Sequence, residues 1–422
     1  MAIFSTALNR ARTSFYGWRM IGLMLGPRAA GTGIFIVGST LFIIPLEESL
    51  GINRGVTSVL FALSGLVGGL SAPLSGALMD RYGPRKVLLA SVAGLALGYV
   101  LFALSPNILV VFIAFLVPIG LTSLNVAFNG SSGLINNWFD RLKATAMTTM
   151  QVGSGLGVLV LVPALALIIN AWDWRVAAFA AAAAILLLGF PATWASRDTP
   201  EEMGLLPDGA HDPAAGAHPA AHDGGLSARA AMRTPTFWLI TGAAFCFGGA
   251  TAGLGIHFVP IMDWKGIDAV TAAFILTVST AFGAFVALVA GRLADRFSPS
   301  LVAGIVALTA GFGVLVINVA EQTAAIWAGA MLVSASYSLY SLLWASVGRA
   351  FGRRAYSTIR GSVMAGSIGG TTGAPILAGF LFERTDSYGL ALWIIVGLWV
   401  GAAAFLAVPT RRRPAQVAAA PA

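Results

Sequence analysis

Charge is what the chain has least of. Asp, Glu, Lys and Arg make up 10% of its 422 residues, where a soluble protein of ordinary composition carries about 25%. That shortage excludes an ordinary water-facing globular surface. With 57% hydrophobic residues and a mean hydropathy of +0.84, the chain reads as a multi-spanning membrane protein. Cysteine is nearly missing. The one thiol, Cys246, falls within an apolar run, so an internal disulfide and a Cys-rich metal site are both excluded. Acids are absent from the middle of every apolar run: Glu47 and Glu48 close the first, Asp173 precedes the sixth and Asp263 ends the seventh. Proton pumping through a buried carboxylate is therefore not expected. A Ser/His/Asp set, a metal-ligand cluster and an acid pair are equally missing from the runs, so neither an enzyme nor a bound metal or cofactor is expected. The net charge of +8 does not point to nucleic acid, because the bases sit in short loops between apolar runs.

What is present is length of apolar sequence. Twelve runs are long enough to span a bilayer at about 20 residues each. They fall at 19–46, 54–79, 85–104, 108–133, 143–170, 174–195, 235–262, 269–292, 300–318, 324–348, 359–382 and 388–408. The first is too long for a signal-peptide core, so no cleavable signal is expected. Between the sixth and seventh lies Arg197 to Arg233, rich in Pro, Gly, Asp and His, which reads as a flexible linker. It holds His211, His218 and His222, three of the four histidines, spaced by Ala, Pro and Gly in a way that suits a tether better than a metal site. The domains expected are a six-helix bundle over 1–196, a linker over 197–233, a second six-helix bundle over 234–410 and a tail over 411–422. Twenty of the twenty-five Lys and Arg lie in the N-terminus, the even-numbered loops and the tail. Bases accumulate on the cytoplasmic side, so both termini and the linker are expected there.

The two halves repeat. GALMDRYGPRK, Gly76 to Lys86, follows the second run, and GRLADRF, Gly291 to Phe297, follows the eighth. Small residues let two helices approach closely, and the acid and bases can hold one conformation through charge-assisted bonds. Gly76, Asp80, Arg81, Gly83, Arg85 and Lys86, with Asp295 and Arg296 in the second copy, are the candidate switch residues. The fifth and eleventh runs also match, KATAMTTMQVGSGLGVLVLVP from Lys143 and RGSVMAGSIGGTTGAP from Arg360. Each begins beside a base, passes a methionine and a Gly/Ser/Thr-rich stretch, and reaches a proline, a composition that permits close packing and bending.

The repeated loop segment resembles the signature of the major facilitator superfamily between its second and third helices. YGWRM at Tyr16, DRYGPRK at Asp80, NWFDRLKATAM at Asn137, GSGLG at Gly153, RDTPEEMGLLPDG at Arg197 and HFVPIMDWKGI at His257 together look like the bacterial branch of its monocarboxylate-transporter-like family, which includes oxalate/formate exchangers. The resemblance implies an all-α membrane protein of twelve helices in two pseudo-symmetric six-helix bundles, in the inner membrane of a bacterium. It also implies a monomer that moves a small organic anion, typically a monocarboxylate, by alternating access. Two departures stand out. The animal branch carries an acid and an Arg within helix eight, and run eight has no charge before Arg292. The oxalate exchangers carry bases within helices eight and eleven, and here neither run has one at its centre. A drug or sugar carrier on the same fold is the alternative, although the Gly-Pro signature of drug antiporters is poorly matched, Pro163 coming six residues after Gly157. A sensor on this scaffold would carry a signalling domain, which is not expected.

Arg28 is the clearest candidate for the site. It lies ten residues beyond Trp18, about 15 Å along a helix, and a mid-bilayer charge costs about 2.5–3.5 kcal/mol even on the lenient scale. A guanidinium can grip a carboxylate in two places, bond to backbone carbonyls as a structural group, or snorkel to the inner surface. Gly26, Pro27, Gly31 and Gly33 around it suggest a break in the helix. His257, late in run seven, can titrate, close a gate, bond to substrate or simply brace a helix end. Asn125 and Asn129 share a helix face, as do Tyr337, Tyr340 and Trp344, through substrate contact or ordinary packing. Thr32, Gln151, Ser154 and Thr372 add polar groups. The resemblance places runs one, four, seven and ten around a central cavity, which would bring Arg28, Asn125, His257 and the tyrosines near one site. A transported proton is expected to travel on the substrate acid or on His257.

Overall fold

The computed structural model describes residues 15–209 and 225–407. Twelve helices long and apolar enough to cross a membrane account for nearly all of them. In lipid every backbone polar group must be satisfied within the chain, and a helix does this segment by segment. In order they are α1 Tyr16–Leu50, α2 Arg54–Tyr82, α3 Pro84–Ala103, α4 Ile108–Trp138, α5 Lys143–Ala171 and α6 Trp174–Ala195. The second half follows with α7 Pro235–Trp264, α8 Ala269–Arg296, α9 Pro299–Val319, α10 Thr323–Phe351, α11 Tyr356–Thr385 and α12 Gly389–Ala407. Capping residues set the starts. Asn53 and Asn107 each accept a backbone N–H three residues on, and Pro84, Pro235 and Pro299 occupy first-turn positions where no N–H is needed.

The two halves pack alike. The first helix of each lies against the fifth (α1 on α5, α7 on α11), and the third lies against the sixth (α3 on α6, α9 on α12). Each half is thus a six-helix bundle. The bundles meet along two seams, α2 on α11 and α5 on α8. Glycine permits both. A Cβ at Gly76 would overlap the Ser357 carbonyl, one at Gly361 would overlap the Ala72 carbonyl, and one at Gly291 would overlap the Thr148 hydroxyl.

At one end the seams are fastened by carboxylates. Asp80, in the last turn of α2, accepts from the backbone N–H of Ser357 at 3.0 Å and of Thr358 at 2.8 Å, and from the Thr358 hydroxyl at 2.6 Å. Asp295, in the last turn of α8, accepts from Ala144 N–H and Thr145 N–H, both at 2.8 Å. Each acid caps a helix that belongs to the opposite bundle, where free N–H groups and the helix dipole both favour a negative charge. Hydropathy alone ends these runs at 79 and 292. The backbone continues through the charges to Tyr82, where Gly83 at φ +91° turns the chain, and to Arg296. The two acids therefore ride on rigid helix ends and not in the turns. Arg81, Lys86 and Arg296 point outward at the basic face.

The stretch expected as a flexible linker is anchored on both sides. The Trp138 indole donates to the Arg197 carbonyl at 3.0 Å, and the Asp208 carboxylate accepts from the N–H groups of Asp140, Arg141 and Leu142. The Asp198 carboxylate accepts from Arg85 N–H at 2.7 Å. Burial pushes its carboxyl up from the usual range, against the pull of that bond. Glu201 pairs with Arg353 of the second bundle at 2.9 Å, and Gly225 bridges to Gly352. His211, His218 and His222, the bases Arg10 and Arg12, and the 411–422 tail lie outside the described residues.

Replacing Asp80 by Ala removes one fastener. The expected cost is about 0.5–2 kcal/mol, as for loss of a side-chain cap, or roughly a 2- to 30-fold shift from closed to open at the basic face. Spin-label distances between positions 82 and 355 in a Cys246→Ser background would read the shift. An unchanged distance distribution would mean that the seam is held by packing alone.

Candidate functional site

Between the seams, below the capped ends, the helices that face each other depart from regular winding. After Pro27, α1 continues without a break but widens into a π-helical segment, Gly31–Val37, then tightens to 3₁₀ over Gly38–Phe42. The break expected at Arg28 is thus a change of pitch. In α4, Phe115–Ile119 and Asn125–Asn129 are π-helical, and Ala335–Ser338 of α10 is 3₁₀. Such segments free backbone carbonyls and re-aim side chains, and they recur at functional sites. Two freed carbonyls are satisfied by neighbouring helices: Tyr99 OH donates to Ile34 at 3.1 Å and Ser64 OH to Phe115 at 2.9 Å.

Arg28 is 1% exposed. Its Nε donates to Ser154 Oγ at 2.9 Å and a terminal nitrogen donates to the Gln151 amide oxygen, both on α5. The Thr32 hydroxyl donates to the same Ser154 at 3.2 Å. The guanidinium carbon stands 5.1 Å from the Phe128 ring centroid. Every one of these partners is neutral.

A second arginine closes the arrangement from the other bundle. Arg360, five residues into α11, is also 1% exposed. It donates to the Asn129 amide oxygen and, at 3.1 Å, to Tyr340 OH. Its guanidinium stacks 4.4 Å from the Trp344 ring centroid. Asn129 in turn donates to the Asn125 oxygen at 3.2 Å, and Asn125 donates to Ser75 and Ser91. Phe128 and Tyr340, with centroids 5.1 Å apart, join the two arginine groups across the bundle interface. A tight gap lies here, lined by Arg28, Met147, Met150, Tyr340, Ser341 and Trp344, and in this conformation it is too narrow for a water-sized group. Among the described residues no carboxylate lies within ion-pair distance of either guanidinium. Asp80, the acid that caps the start of α11, is already occupied by backbone N–H groups. The arrangement can hold a negatively charged group and offers no protein acid to compete for it.

The cluster gathers Arg28, Thr32, Asn125, Asn129 and Tyr340, with Gln151 and Ser154. Tyr337 lies one turn from Tyr340, half-buried, with its Cβ against Gly283 at the α8–α10 contact and its phenol within electrostatic reach of Arg28. Thr372 is exposed. His257 is not brought to the cluster. Its Nε2 meets the Pro375 carbonyl at 3.0 Å and its Nδ1 meets Tyr388 OH at 3.2 Å. A carbonyl only accepts, so Nε2 donates to Pro375, and Nδ1 is paired with the Tyr388 hydroxyl. Here His257 braces α7 against α11 and the start of α12.

The sequence does not single out Arg360. It counts there among the bases of the basic face, and run eleven has no base at its centre. The capped pairs correct the alignment of the halves: Ala144 and Thr145 correspond to Ser357 and Thr358, so Arg360 corresponds to Met147 and not to Lys143. Matching the two bases to each other is one helical turn out of register. Trp344 belongs to the aromatic stripe, but its role as a platform for Arg360 needs the fold.

Replacing His257 by Phe leaves Tyr388 OH and the Pro375 carbonyl short of a partner, at a cost of about 1–3 kcal/mol. The expected result is a lower melting temperature with ligand affinity at the arginine cluster unchanged. A weaker affinity there at unchanged melting temperature would return His257 to the site.

Comparison with known proteins agrees with this architecture. Residues 23–370 match the family described as the Major Facilitator Superfamily. The human protein named monocarboxylate transporter 11 is 28% identical over 355 residues, covering 79% of this chain and 70% of that protein. The class G tetracycline resistance protein of Vibrio anguillarum is 35% identical over 145 residues, 32% of this chain and 36% of that one. Among solved structures, the E. coli fucose:proton symporter FucP superposes with a TM-score of 0.70 at 15% identity, over 92% of this chain and 97% of that one, a likeness of fold. With the family match spanning most of its length and twelve membrane helices in two like bundles, the chain belongs to the Major Facilitator Superfamily of transporters.

Proposed function

We propose that this transporter moves a small organic anion of the carboxylate class, with Arg28 as the group that grips it. The observation that carries the reading is a guanidinium 1% exposed between membrane helices whose partners are all neutral. Placing a cation there costs several kcal/mol, and a carboxylate that binds to it recovers that cost through charge-assisted, two-point bonding. Similarity to a protein named for monocarboxylate transport, over 79% of the chain, supports the same class. The tetracycline resistance relative favours a drug carrier, but over only 32% of the chain. A neutral sugar would leave Arg28 uncompensated.

Transport proceeds by rocking of the two bundles, taken as 1–196 and 234–410 with 197–233 between them and 411–422 as a tail. The monomer is the working unit. The Asp80 and Asp295 caps hold the basic face shut, and that face is cytoplasmic by its excess of bases, in a bacterial inner membrane. No Asp or Glu among the described residues bonds into the gap, so a coupled proton would travel on the substrate acid.

The test is uptake of labelled small carboxylates into proteoliposomes. Arg28→Gln is expected to reduce uptake at least 100-fold, the loss of about 2.7 kcal/mol, while the protein still inserts and elutes as a folded species. Wild-type rates from Arg28→Gln would end the anchor role. Running the assay with a pH gradient and with unlabelled acid inside separates symport from exchange.

A further inference from the structure

The second bundle carries, at this gap and beside it, donors that the protein itself does not use. Trp344, which lines the gap, and Arg360, stacked on it, are 3% and 1% exposed. The Trp344 indole N–H and the Arg360 Nε–H are both buried without a hydrogen-bond partner. Buried donors are nearly always paired, so two orphans on two stacked side chains mark a place where an acceptor binds. Tyr340 OH, bonded to the same guanidinium, completes the set.

Charge says what kind of acceptor. Arg28 and Arg360 are both buried, both bonded to neutral groups, and joined through Phe128 and Tyr340. Each is closed by an amide oxygen, Gln151 on Arg28 and Asn129 on Arg360. An amide oxygen is a neutral acceptor, whereas a carboxylate adds a full opposite charge and can bond a guanidinium at two points. One negative charge would offset only one of the two cations.

We propose that the substrate is a short dianion, a dicarboxylate, with one carboxylate on Arg28 and the other on Arg360, Trp344 and Tyr340. This rests on the anion reading of Arg28 and narrows the small organic anions that the resemblance implies to those with two carboxylates, gripped by one arginine from each bundle. The second carboxylate replaces Asn129 on Arg360. Because Arg28 belongs to the first bundle and Arg360 to the second, the bound dianion ties the bundles together across the gap. Substrate binding then contributes directly to closure.

The test is competition in proteoliposomes between acids of matched length, propionate against malonate and butyrate against succinate. In the wild type the di-acid is expected to compete at least tenfold more strongly than its mono-acid partner. Arg360→Gln should weaken the di-acid at least tenfold more than the mono-acid, collapsing the preference. Trp344→Phe keeps the stacking ring and removes the N–H, and should lower the preference in the same sense. Mono-acids that compete as well as di-acids in the wild type would overturn the proposal, as would a preference unchanged in Arg360→Gln and in Trp344→Phe. If Arg360→Gln does not fold, the wild-type ratio and Trp344→Phe decide. Failure of every acid, of either charge, to compete with folded protein would overturn the anion reading itself along with the dianion.

Discussion

A guanidinium buried between membrane helices must be solvated by something, and much of this structure is organised around that constraint. Two such groups, Arg28 and Arg360, are held by Ser154, Gln151, Asn129 and Tyr340 and stacked on Phe128 and Trp344. Amides, hydroxyls and ring faces satisfy hydrogen bonds without cancelling charge. The site is therefore folded and electrostatically unfinished, which is the condition for binding an anion tightly without a prior ion pair to break. The π-helical turn Asn125–Asn129 of α4 carries Phe128 and Asn129 of this set, and the 3₁₀ turn of α10 ends two residues before Tyr340.

In the proposed transport cycle the ends of the bundles act beside this site. Asp80 and Asp295 each cap a helix of the opposite bundle, and glycines below them let the helices touch. A cap is a short-range bond of modest size. Two such caps, related by the repeat, can hold one face closed and still yield to rearrangement of a few kcal/mol. The linker adds a third tie, through Glu201 and Arg353. A substrate that bridges Arg28 and Arg360 would act on the same inter-bundle equilibrium from within, so binding and gating share one coordinate.

How much of this the sequence discloses depends on whether the signal is local. The twelve helices follow from apolar length alone. Arg28 stands out because it is a base inside an apolar run, and the two aspartates stand out because their motif repeats. Arg360 does not stand out, because it follows a basic loop and the obvious match of the halves sets it against Lys143. Only the capped pairs reveal that Met147 is its counterpart. His257 is misleading for the opposite reason. A lone histidine in a membrane helix suggests chemistry, but its partners, the Pro375 carbonyl and Tyr388, lie more than a hundred residues away. Pitch changes leave no sequence mark beyond a scatter of glycine and proline.

The central claim is that the site recognises negative charge through Arg28. It is tested most directly by the melting temperature of the purified protein against a panel of mono- and dicarboxylates, neutral sugars and tetracycline, for wild type and Arg28→Gln. A ligand present at a hundred times its dissociation constant adds about 2.7 kcal/mol to stability. The account predicts that a carboxylate raises the wild-type melting temperature and does not raise that of Arg28→Gln. A sugar or drug that stabilises both proteins equally, with every carboxylate inert, would contradict it.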